Sequence, residues 1–566
     1  MQKICANPWC ASAFEIAQDD LAFYDKISPV FNRKKESVPP PAFCLDCRQQ
    51  RRLAMRNERT LYPRVCDHCK KRIIAIYPAD SPFTVFCPAC WWGDNWDPLS
   101  FGRAYDFSRP FFDQFRDLWY AVPKISILAL TDNINSDYAH DGYRLQNCYL
   151  IFDGEQAQDS YYGEVYALLK DCCDFYSLKQ CELCYECIHC QECFHLLYSR
   201  FCSNCSDSAF LLDCSSCRNC IGCVNLHQKE YHIFNEPVSK EEFALRKAAF
   251  ALHTHAGVEA LRAQAEALFL RYPRKATRTV MSEEVTGDNL ISCKNMHDSY
   301  DCMDMRDCRH CTNCMMGGSD AQDVDAWGDK MNLVYNCAYV GAGVERLICC
   351  YYQSFGVSNL CYSIYCLQGA NDCFGCVGLK KMRHCILNTQ YTEEEYGRLT
   401  PKIIEQMRKE GTWGEFFPPT LSAFSYNETV AQDYYPLTKE EVKKRGWRWR
   451  EMREEMPSVT KVVSGDRLPE TIDAVPDDVL QWAIRCEVSG KLFKIQPSEL
   501  GLYRKLHVPL PRRHFEVRHA ARRALRNPRK LWKRACAKCG KSMETTYAPE
   551  RPEIVYCESC YLKEVY

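Results

Sequence analysis

Forty cysteines, grouped along a chain of 566 residues, predict a multidomain α+β fold. Pairs with Cys-x2-Cys spacing lie near both ends, and cysteines at every third position fill two central blocks. Segments of the two blocks match each other, and so do segments of the two ends. Together these observations predict zinc ribbons at both termini, flanking a duplicated Cys-rich β-solenoid with helical connectors.

The composition is that of a globular protein. Hydrophobic residues make up 46% of the chain, and 72 Lys and Arg nearly balance 73 Asp and Glu, which excludes a strongly basic or acidic protein. No run of 18 apolar residues predicts a membrane helix, and the N-terminus lacks the features of a signal peptide. We therefore expect a cytoplasmic protein with thiols or metal thiolates, since disulfides are rare in a reducing compartment.

The cysteine groups and the segments between them predict seven regions. Residues 239–270 are rich in Ala, Leu and Glu with apolar residues three and four apart, which is typical of one or two helices. Residues 411–475 show no clear period. The predicted regions are a tandem zinc-ribbon module at 1–100, a connector at 101–140, solenoid repeat 1 at 141–238, a helical connector at 239–285, solenoid repeat 2 at 286–391, a helix and irregular connector at 392–478, and a C-terminal module of one degenerate and one complete ribbon at 479–566.

Two internal matches support this division. Cys220-Ile-Gly-Cys-Val-Asn-Leu226 recurs 153 residues later as Cys373-Phe-Gly-Cys-Val-Gly-Leu379, and a Ser/Thr-x-x-Glu signature follows each copy. That signature is a capping box, which predicts that a helix begins at Ser239 and another at Thr392. The second match joins the two ends, where residues 48–61 resemble residues 518–531.

Three sets of four cysteines predict zinc sites. Cys-x2-Cys pairs separated by seventeen residues occur at 66–90 and again at 536–560, and a longer variant occupies 5–47. Two such knuckles place four sulfurs about 2.3 Å from one Zn²⁺, in a closed structural site. A related half-module at 486–517 keeps one cysteine, Cys486, and is expected to hold no metal. The predicted ligands of three Zn²⁺ are Cys5, Cys10, Cys44, Cys47, Cys66, Cys69, Cys87, Cys90, Cys536, Cys539, Cys557 and Cys560.

The central cysteines recur with a period of three, as at Cys181, Cys184, Cys187, Cys190 and Cys193. This period fits neither a helix nor a single strand, and it favours short strands that alternate with turns. Small Cys and Ser side chains are then expected to stack inward as buried apolar groups. Additional zinc sites and an iron–sulfur site are the alternatives. The ferredoxin pattern is approached but never completed, because no Pro follows the runs.

An arginine stripe occurs in each terminal module. The arginines have helical spacing, and guanidinium groups match phosphate oxygens well, so the stripes predict binding of nucleic acid. A solvated face, or arginines packed against the ribbon, is the alternative. Trp91, Trp92 and Trp96 are interpreted as an apolar lid on the ribbon, with base stacking as the alternative. The predicted nucleic-acid-binding residues are Arg48, Arg52, Arg56, Arg59, Arg518, Arg522, Arg526 and Arg529.

The chain resembles the Cys-rich, multi-zinc-ribbon proteins common in small-genome candidate-phylum bacteria. Its similarity rests on the cysteine runs that end in Cys373-Phe-Gly-Cys-Val377, on Asn427-Glu-Thr-Val-Ala-Gln432, and on the tail from Thr545 to Tyr561. It covers essentially the whole chain and implies no activity. Such proteins sometimes carry the label CaiB/BaiF, a CoA-transferase family. The sequence does not support that chemistry, since it has no alternating βα pattern.

These observations favour a zinc-stabilised intracellular binding protein that binds nucleic acid or a ribonucleoprotein through its ribbons and arginine helices. One alternative is a structural or protein-interaction scaffold built on the solenoid. A second alternative is a redox or iron–sulfur protein. No set of residues indicates a catalytic site or a small-molecule substrate, so we do not expect an enzyme.

Overall fold

The computed structural model describes residues 1–566 apart from 129–132, 316, 327, 329–330, 332, 338–346, 349–355, 453–458 and 566. The described chain divides into two compact units, and each combines segments that are distant in sequence. The first unit consists of Met1–Ser126 and Thr277–Arg450. The second unit consists of Ile127–Ala276 and Glu451–Tyr566.

The fold is mixed α and β. No helix among the described residues is long and apolar enough to cross a membrane. The described residues form twelve α-helices: α1 (Gln18–Ile27), α2 (Leu45–Leu53), α3 (Pro88–Trp92), α4 (Phe111–Ala121), α5 (Lys240–Ala249), α6 (His255–Phe269), α7 (Glu393–Lys409), α8 (Val430–Tyr434), α9 (Lys439–Lys444), α10 (Pro497–Leu506), α11 (Phe515–Ala524) and α12 (Glu558–Val565).

The predicted helix starts agree with this list. Ser239 is the N-cap of α5, and its side chain accepts a hydrogen bond from the Glu242 backbone N–H at 3.1 Å. Thr392 is the N-cap of α7 and forms the full capping box with Glu395. Such caps satisfy backbone N–H groups that have no partner inside the helix. The segment 239–270 thus forms two helices, α5 and α6.

The N-terminal part of the first unit is built from short hairpins and helices. Phe111, Phe115 and Trp119 of α4 are fully buried and form an apolar core with the residues around them. A two-residue parallel pair joins Val85–Phe86 to Lys124–Ile125. The antiparallel hairpins pair Gln2–Ile4 with Ala13–Glu15, Val30–Phe31 with Lys34–Lys35, and Tyr62–Val65 with Arg72–Ala75.

The rest of the first unit contains the second Cys-rich block and the segment that follows it. Neighbouring strands of the block are parallel, except for a hairpin that ends it. One sheet contains Thr279–Val280, Glu283–Ile291, Lys294–Met303, Met305–Arg309 and Gly318–Gln322, and another contains Ser358–Cys361, Asn371–Phe374, Arg383–Ile386 and Thr389–Gln390. After α7 the chain runs through short 3₁₀ helices, α8 and α9.

The first Cys-rich block, in the second unit, also consists of parallel strands closed by a hairpin. Its strands begin at Ala139. One sheet contains Ala139–Gln146, Tyr149–Gln158, Tyr161–Lys170, Cys173–Lys179 and Ile188–Gln191, and the other contains Phe194–Leu197, Ser206–Ala209, Arg218–Ile221, Glu230–Ile233 and Glu236–Pro237. Tyr149 pairs with Tyr161 and Tyr161 with Cys173, so each strand is displaced by 12 residues from its neighbour.

The period of three follows from the backbone conformation. A left-handed residue with positive φ recurs every third position, as at Asp171, Asp174, Ser177 and Gln180. The residue after each of these is buried in one continuous core, as Cys172, Phe175, Leu178 and Cys181 are. Two extended residues and one left-handed residue therefore place every third side chain on the buried face. Asn and Asp tolerate the left-handed region better than most residues, which explains their frequency at the turning positions.

The C-terminal part of the second unit repeats the hairpin and helix pattern. Three strands, Lys461–Ser464, Trp482–Arg485 and Leu492–Phe493, form one sheet, and Trp532–Ala535 pairs with Ser542–Thr545 in a hairpin. Val555–Tyr556 pairs in parallel with Arg274–Lys275, the segment after α6. In the hairpin of Trp532–Ala535 with Ser542–Thr545, as in that of Tyr62–Val65 with Arg72–Ala75, the first strand ends just before a cysteine pair and the second begins just after it.

Candidate metal centres and the arginine helices

Three groups of four cysteines lie in positions that can hold a metal ion. In each group one sulfur from every cysteine lies within 4.8 Å of the others. The groups contain all twelve predicted ligands: Cys5, Cys10, Cys44 and Cys47; Cys66, Cys69, Cys87 and Cys90; and Cys536, Cys539, Cys557 and Cys560. The prediction of three tetra-cysteine metal sites is therefore confirmed at the level of the ligand sets.

The spacing of the sulfurs fits a tetrahedral ion. Four sulfurs at about 2.3 Å from one Zn²⁺ are separated by about 3.8 Å in a regular tetrahedron. Sulfurs of Cys10 and Cys44 lie 3.8 Å apart, and the same separation joins Cys69 to Cys87 and Cys539 to Cys557. Each of these distances links the two knuckles of a site, so the knuckles are already placed for closure around one ion.

Local backbone structure explains why each knuckle forms. The Cys66 N–H donates to the Lys71 carbonyl at 2.9 Å, and the Lys70 N–H donates back to the Cys66 carbonyl at 3.0 Å. Lys70 has a φ of 61°, a left-handed conformation that closes the turn. Cys536 and Gly540 repeat this turn in the C-terminal ribbon, with φ of 74° at the glycine. Glycine adopts this conformation without steric cost.

Backbone N–H groups also favour the thiolate form of the ligands. In each complete ribbon, the first cysteine of the second knuckle donates its N–H to the sulfur of the first cysteine of the first knuckle: Cys87 to Cys66 at 3.2 Å, and Cys557 to Cys536 at 3.3 Å. Burial opposes ionisation, but these hydrogen bonds lower the pKa of Cys66 to about 7 and that of Cys536 to about 6. Metal ions bind thiolates, so Cys66 and Cys536 are suited to a cation. The pKa is raised at other cysteines of these groups, chiefly by burial at Cys87 and Cys90.

The Cys486 half-module keeps the knuckle turn without a ligand set. The Cys486 N–H donates to the Lys491 carbonyl at 2.9 Å, and Gly490 closes the turn as Lys70 does. Ser489 stands where a second sulfur is needed. His514 accepts a hydrogen bond from the Glu516 N–H at 3.2 Å, as the N-cap of α11. No group of three metal-ligating side chains around Cys486 occurs in the described part of the chain.

The central cysteines are arranged as core residues. Cys187 Sγ donates to the Tyr185 carbonyl at 3.5 Å and to the Leu196 carbonyl at 3.2 Å, and the same two-carbonyl pattern recurs along the block. At an equivalent position, Ser199 Oγ donates to the Leu197 carbonyl at 2.8 Å. Burial raises the pKa of Cys187 well above its usual range, which favours the protonated donor. Cysteine therefore serves as a small apolar residue that also carries a weak donor.

No cluster of three ligating side chains occurs in the central blocks, within the residues that the structure describes. Cys349 and Cys350 lie outside those residues. The described central cysteines thus offer no ligand set for the alternatives of additional zinc or an iron–sulfur cluster.

Two arginines of α2 are buried against carboxylates of the second Cys-rich block. Arg48 Nη2 donates to Asp323 Oδ1 at 3.0 Å, and Arg52 Nε donates to Asp325 Oδ2. Arg52 Nη1 donates to Asn336 Oδ1 at 3.0 Å. Burial opposes ionisation of Asp323, yet the two guanidiniums hold its pKa below its usual range, so the group remains a carboxylate.

Two arginines of α11 occupy the corresponding place in the second unit. Arg522 Nη1 donates to Asp174 Oδ1 at 2.6 Å, and Arg518 Nη1 donates to Asp174 Oδ2. The Arg518 guanidinium also lies 4.7 Å from the centre of the Tyr162 ring. Tyr162 donates from its hydroxyl to Glu499 Oε2 at 2.8 Å. Arg518, Arg522 and Asp174 are all buried.

The structure changes the interpretation of the eight predicted arginines. The predicted continuous helices are shorter, because α2 ends at Leu53 and α11 at Ala524. Pro528 is incompatible with a continued helix. Five of the eight side chains are buried, and three are half-buried. The buried residues are Arg48, Arg52, Arg56, Arg518 and Arg522; the half-buried residues are Arg59, Arg526 and Arg529; none lies on an exposed helical stripe.

The carboxylates that receive these arginines were missed by sequence reasoning. Asp174, Asp323 and Asp325 lie within the Cys-rich blocks, and Asp174 occupies a left-handed turning position like many other Asn and Asp residues. Nothing in the local sequence distinguishes it from those neighbours. The buried partner of an arginine is therefore identified by tertiary contact alone.

The tryptophans after the first complete ribbon pack as the sequence predicted. Trp91 is buried, and Trp96 Nε1 donates to the Trp91 carbonyl at 2.9 Å. Lys380 of the second Cys-rich block places Nζ 4.3 Å from the centre of the Trp91 ring and 5.0 Å from that of Trp92. The cluster thus forms an apolar lid over the ribbon, closed on one side by a lysine.

Comparison of the chain with protein-family models, with curated proteins and with solved structures gives no match.

Proposed function

We propose that the protein is a zinc-stabilised scaffold in which the two Cys-rich blocks are closed β-solenoids that serve as platforms for structure or protein interaction. The burial of an arginine pair of each terminal module against a carboxylate of a Cys-rich block carries the proposal. Both pairs lie inside a unit rather than on its surface. The thiol-rich composition suits the reducing cytoplasm, where we place the protein.

Zinc is the metal that best suits the three sites. Four cysteine sulfurs with tetrahedral spacing are typical of structural zinc, and a closed set of four ligands leaves no position for a substrate. Each site holds together the two knuckles of one terminal module. The proposed role of the ion is therefore to stabilise the terminal modules.

The solenoid proposal rests on a continuous ladder of backbone hydrogen bonds. Tyr161 N–H donates to the Cys172 carbonyl at 2.9 Å, and Cys173 N–H donates to the Cys184 carbonyl at 3.0 Å. Neighbouring strands are displaced by 12 residues, and the backbone turns at every third residue. One turn of the proposed solenoid therefore has four sides of three residues each. Buried side chains at every third position then fill the interior of that coil.

The buried ion pairs indicate how module and platform are joined. A buried pair does not by itself add much stability, because both charges lose their hydration. Removal of one partner, however, leaves an uncompensated charge in the interior, at a cost of about 3–5 kcal/mol. The paired arginines therefore specify one docking position for each module on its block.

Nucleic-acid binding through these arginines stays a prediction. It requires guanidiniums to exchange buried carboxylates for phosphates. Phosphate contacts weaken steeply with salt, by roughly 0.7–0.9 in the log–log slope for each contact. The experiment that separates the two functions is a binding titration of single-stranded and double-stranded nucleic acid at two salt concentrations, with metal-loaded wild type and with Arg518→Gln/Arg522→Gln.

We expect the double variant to lose stability while any nucleic-acid affinity keeps its salt slope. A matched control is Lys505→Gln, which removes an exposed cation that pairs with Asp171 in the same unit. The scaffold proposal fails if the double variant retains the wild-type melting temperature and loses a salt-sensitive affinity that the control keeps.

A further inference from the structure

A cavity of about 400 Å³ lies in the first unit, between the segment after α9 and a proline-rich turn of the N-terminal ribbon. Its walls include Trp447 and Trp449 on one side and Pro78 and Pro82 on the other. The volume falls in the range of small-molecule sites, which are about 300–1,000 Å³. The walls are mixed, since the two indoles and two prolines stand beside charged and hydroxyl side chains.

The tryptophan segment is held in place by its neighbours. Trp447 stacks on Tyr426, with ring centres 5.3 Å apart and an interplanar angle of 26°. The Tyr426 N–H donates to the Arg448 carbonyl at 2.8 Å, and the Arg450 N–H donates to Asn427 Oδ1 at 3.0 Å. The two indoles that line the cavity thus lie on an irregular segment held by these hydrogen bonds, and little ordering is required when a ligand enters.

The charges around the cavity leave an excess of positive charge. Arg450 is balanced, since it pairs with Asp80 Oδ1 at 2.8 Å and lies 3.9 Å from Glu428 Oε1. Arg448 is held by the carbonyls of Ser422 and Phe424, which are neutral acceptors. Lys443 is exposed and forms no ion pair with a described residue. The lining thus carries the three positive charges of Lys443, Arg448 and Arg450 against the two negative charges of Asp80 and Glu428, a net charge of +1. Both carboxylates lie beside Arg450.

We propose that this cavity binds a nucleoside phosphate, with the base against Trp449 and the phosphate near Lys443 and Arg448. Aromatic side chains stack on any base, and cationic side chains attract phosphate. A purely apolar ligand leaves the two cations unused, and a cationic ligand is repelled by them. The site is separate from the arginine helices, and the proposal does not depend on the scaffold function.

A nucleoside phosphate occurs both as a free nucleotide and as a unit of a single-stranded nucleic acid, and the experiment must distinguish these two ligands. Calorimetric titration of the metal-loaded 566-residue chain with AMP, adenosine and ribose 5-phosphate tests whether base and phosphate are both required. Titration with an oligoadenylate then distinguishes the sources. We expect AMP to bind at least 10-fold more tightly than either fragment. Tighter binding of the oligoadenylate assigns the site to single strands, and equal or weaker binding assigns it to free nucleotides.

Two variants test the two walls of the site. Trp449→Ala is expected to weaken AMP about 5- to 150-fold, as expected for loss of one stacked base. Lys443→Glu, at an exposed position, is expected to weaken AMP and leave adenosine unchanged. Because Lys443 is exposed, Lys443→Glu still tests the proposal if Trp449→Ala lowers the melting temperature of the protein.

The matched control is Trp9→Ala. Trp9 is an exposed indole with Lys444 Nζ at 5.0 Å and the Arg445 guanidinium at 5.4 Å from its ring centre, but it lies outside the cavity. The control is expected to bind AMP as wild type does. The proposal is overturned if AMP and the oligoadenylate do not bind wild type, if Trp9→Ala weakens AMP as much as Trp449→Ala does, or if Lys443→Glu leaves AMP affinity unchanged.

Discussion

Arg522 Nη1 lies 2.6 Å from Asp174 Oδ1, and both side chains are buried. They are 348 residues apart in the chain and join the C-terminal module to the first Cys-rich block. Arg48 and Asp323 form the corresponding contact in the first unit at 3.0 Å. In each unit, an arginine expected on an exposed helix face instead connects a terminal module to a Cys-rich block.

Replacement of Arg522 by Gln is expected to destabilise the second unit by about 3–5 kcal/mol, because Asp174 then keeps a buried charge with one guanidinium fewer. Denaturant unfolding followed by circular dichroism measures the loss. Lys505→Gln is the control, since it breaks an exposed pair with Asp171 and is expected to cost less than about 1 kcal/mol. Equal effects of the two substitutions would contradict the assigned role of Arg522.

Elemental analysis of natively purified protein is expected to give three zinc ions per chain, one for each tetra-cysteine group. Cys66→Ser is expected to reduce the number to two, because three remaining thiolates bind zinc more weakly than four. Ser489→Cys serves as a control, because it adds one sulfur at the Cys486 knuckle, too few for a site, and is expected to leave the count at three. Six or more zinc ions, or mainly iron, would contradict the packing role of the central cysteines.

Cys187→Ala is expected to cost roughly 1–2 kcal/mol, as a small cavity replaces a buried sulfur, and to release no metal. Cys217→Ala is expected to behave in the same way. Thermal unfolding and metal content of the same samples measure the two quantities. Cys66→Ala is the comparison that is expected to release an ion. Loss of metal from either central variant would identify that cysteine as a ligand.

Lys124 predicts a specific dependence of stability on pH. Its side chain is fully buried, its Nζ donates to the Val122 carbonyl at 2.6 Å, and burial lowers its pKa well below the usual range. Because the unfolded chain keeps the ordinary pKa of about 10.4, it binds more protons than the folded chain between the two values. The free energy of unfolding contributed by this group therefore rises with pH across that window and levels off above about pH 10.4.

Lys124→Met is expected to remove this rise, which urea unfolding at several pH values between 7 and 10 measures as a smaller slope of stability against pH. The exposed Lys26, which pairs with Asp320, is the control position, and Lys26→Met is expected to keep the wild-type slope. Identical slopes in wild type and Lys124→Met would show that the ammonium group is not desolvated.

Local sequence determined the cysteine groups that can hold a metal ion, because the first Cys-x2-Cys knuckle of a ribbon is closed by hydrogen bonds within six residues, such as those between Cys66 and Lys71. It also determined the helix starts at Ser239 and Thr392, where the capping side chain acts three residues away. The burial of every third residue in the blocks follows in the same way, since each turning residue orients its immediate neighbour. These features depend on contacts that are short in sequence.

Only the tertiary structure decided whether the arginine side chains are exposed or buried, and which groups they contact. Helical spacing identified Arg518 and Arg522 as one face, but the same spacing serves a solvated surface, a phosphate site or a buried ion pair equally well. What distinguishes them is the group that packs against the face, and Asp174 lies more than 340 residues away. Ion pairing depends on distance in space and on the loss of water, and neither quantity is encoded in the residues nearby.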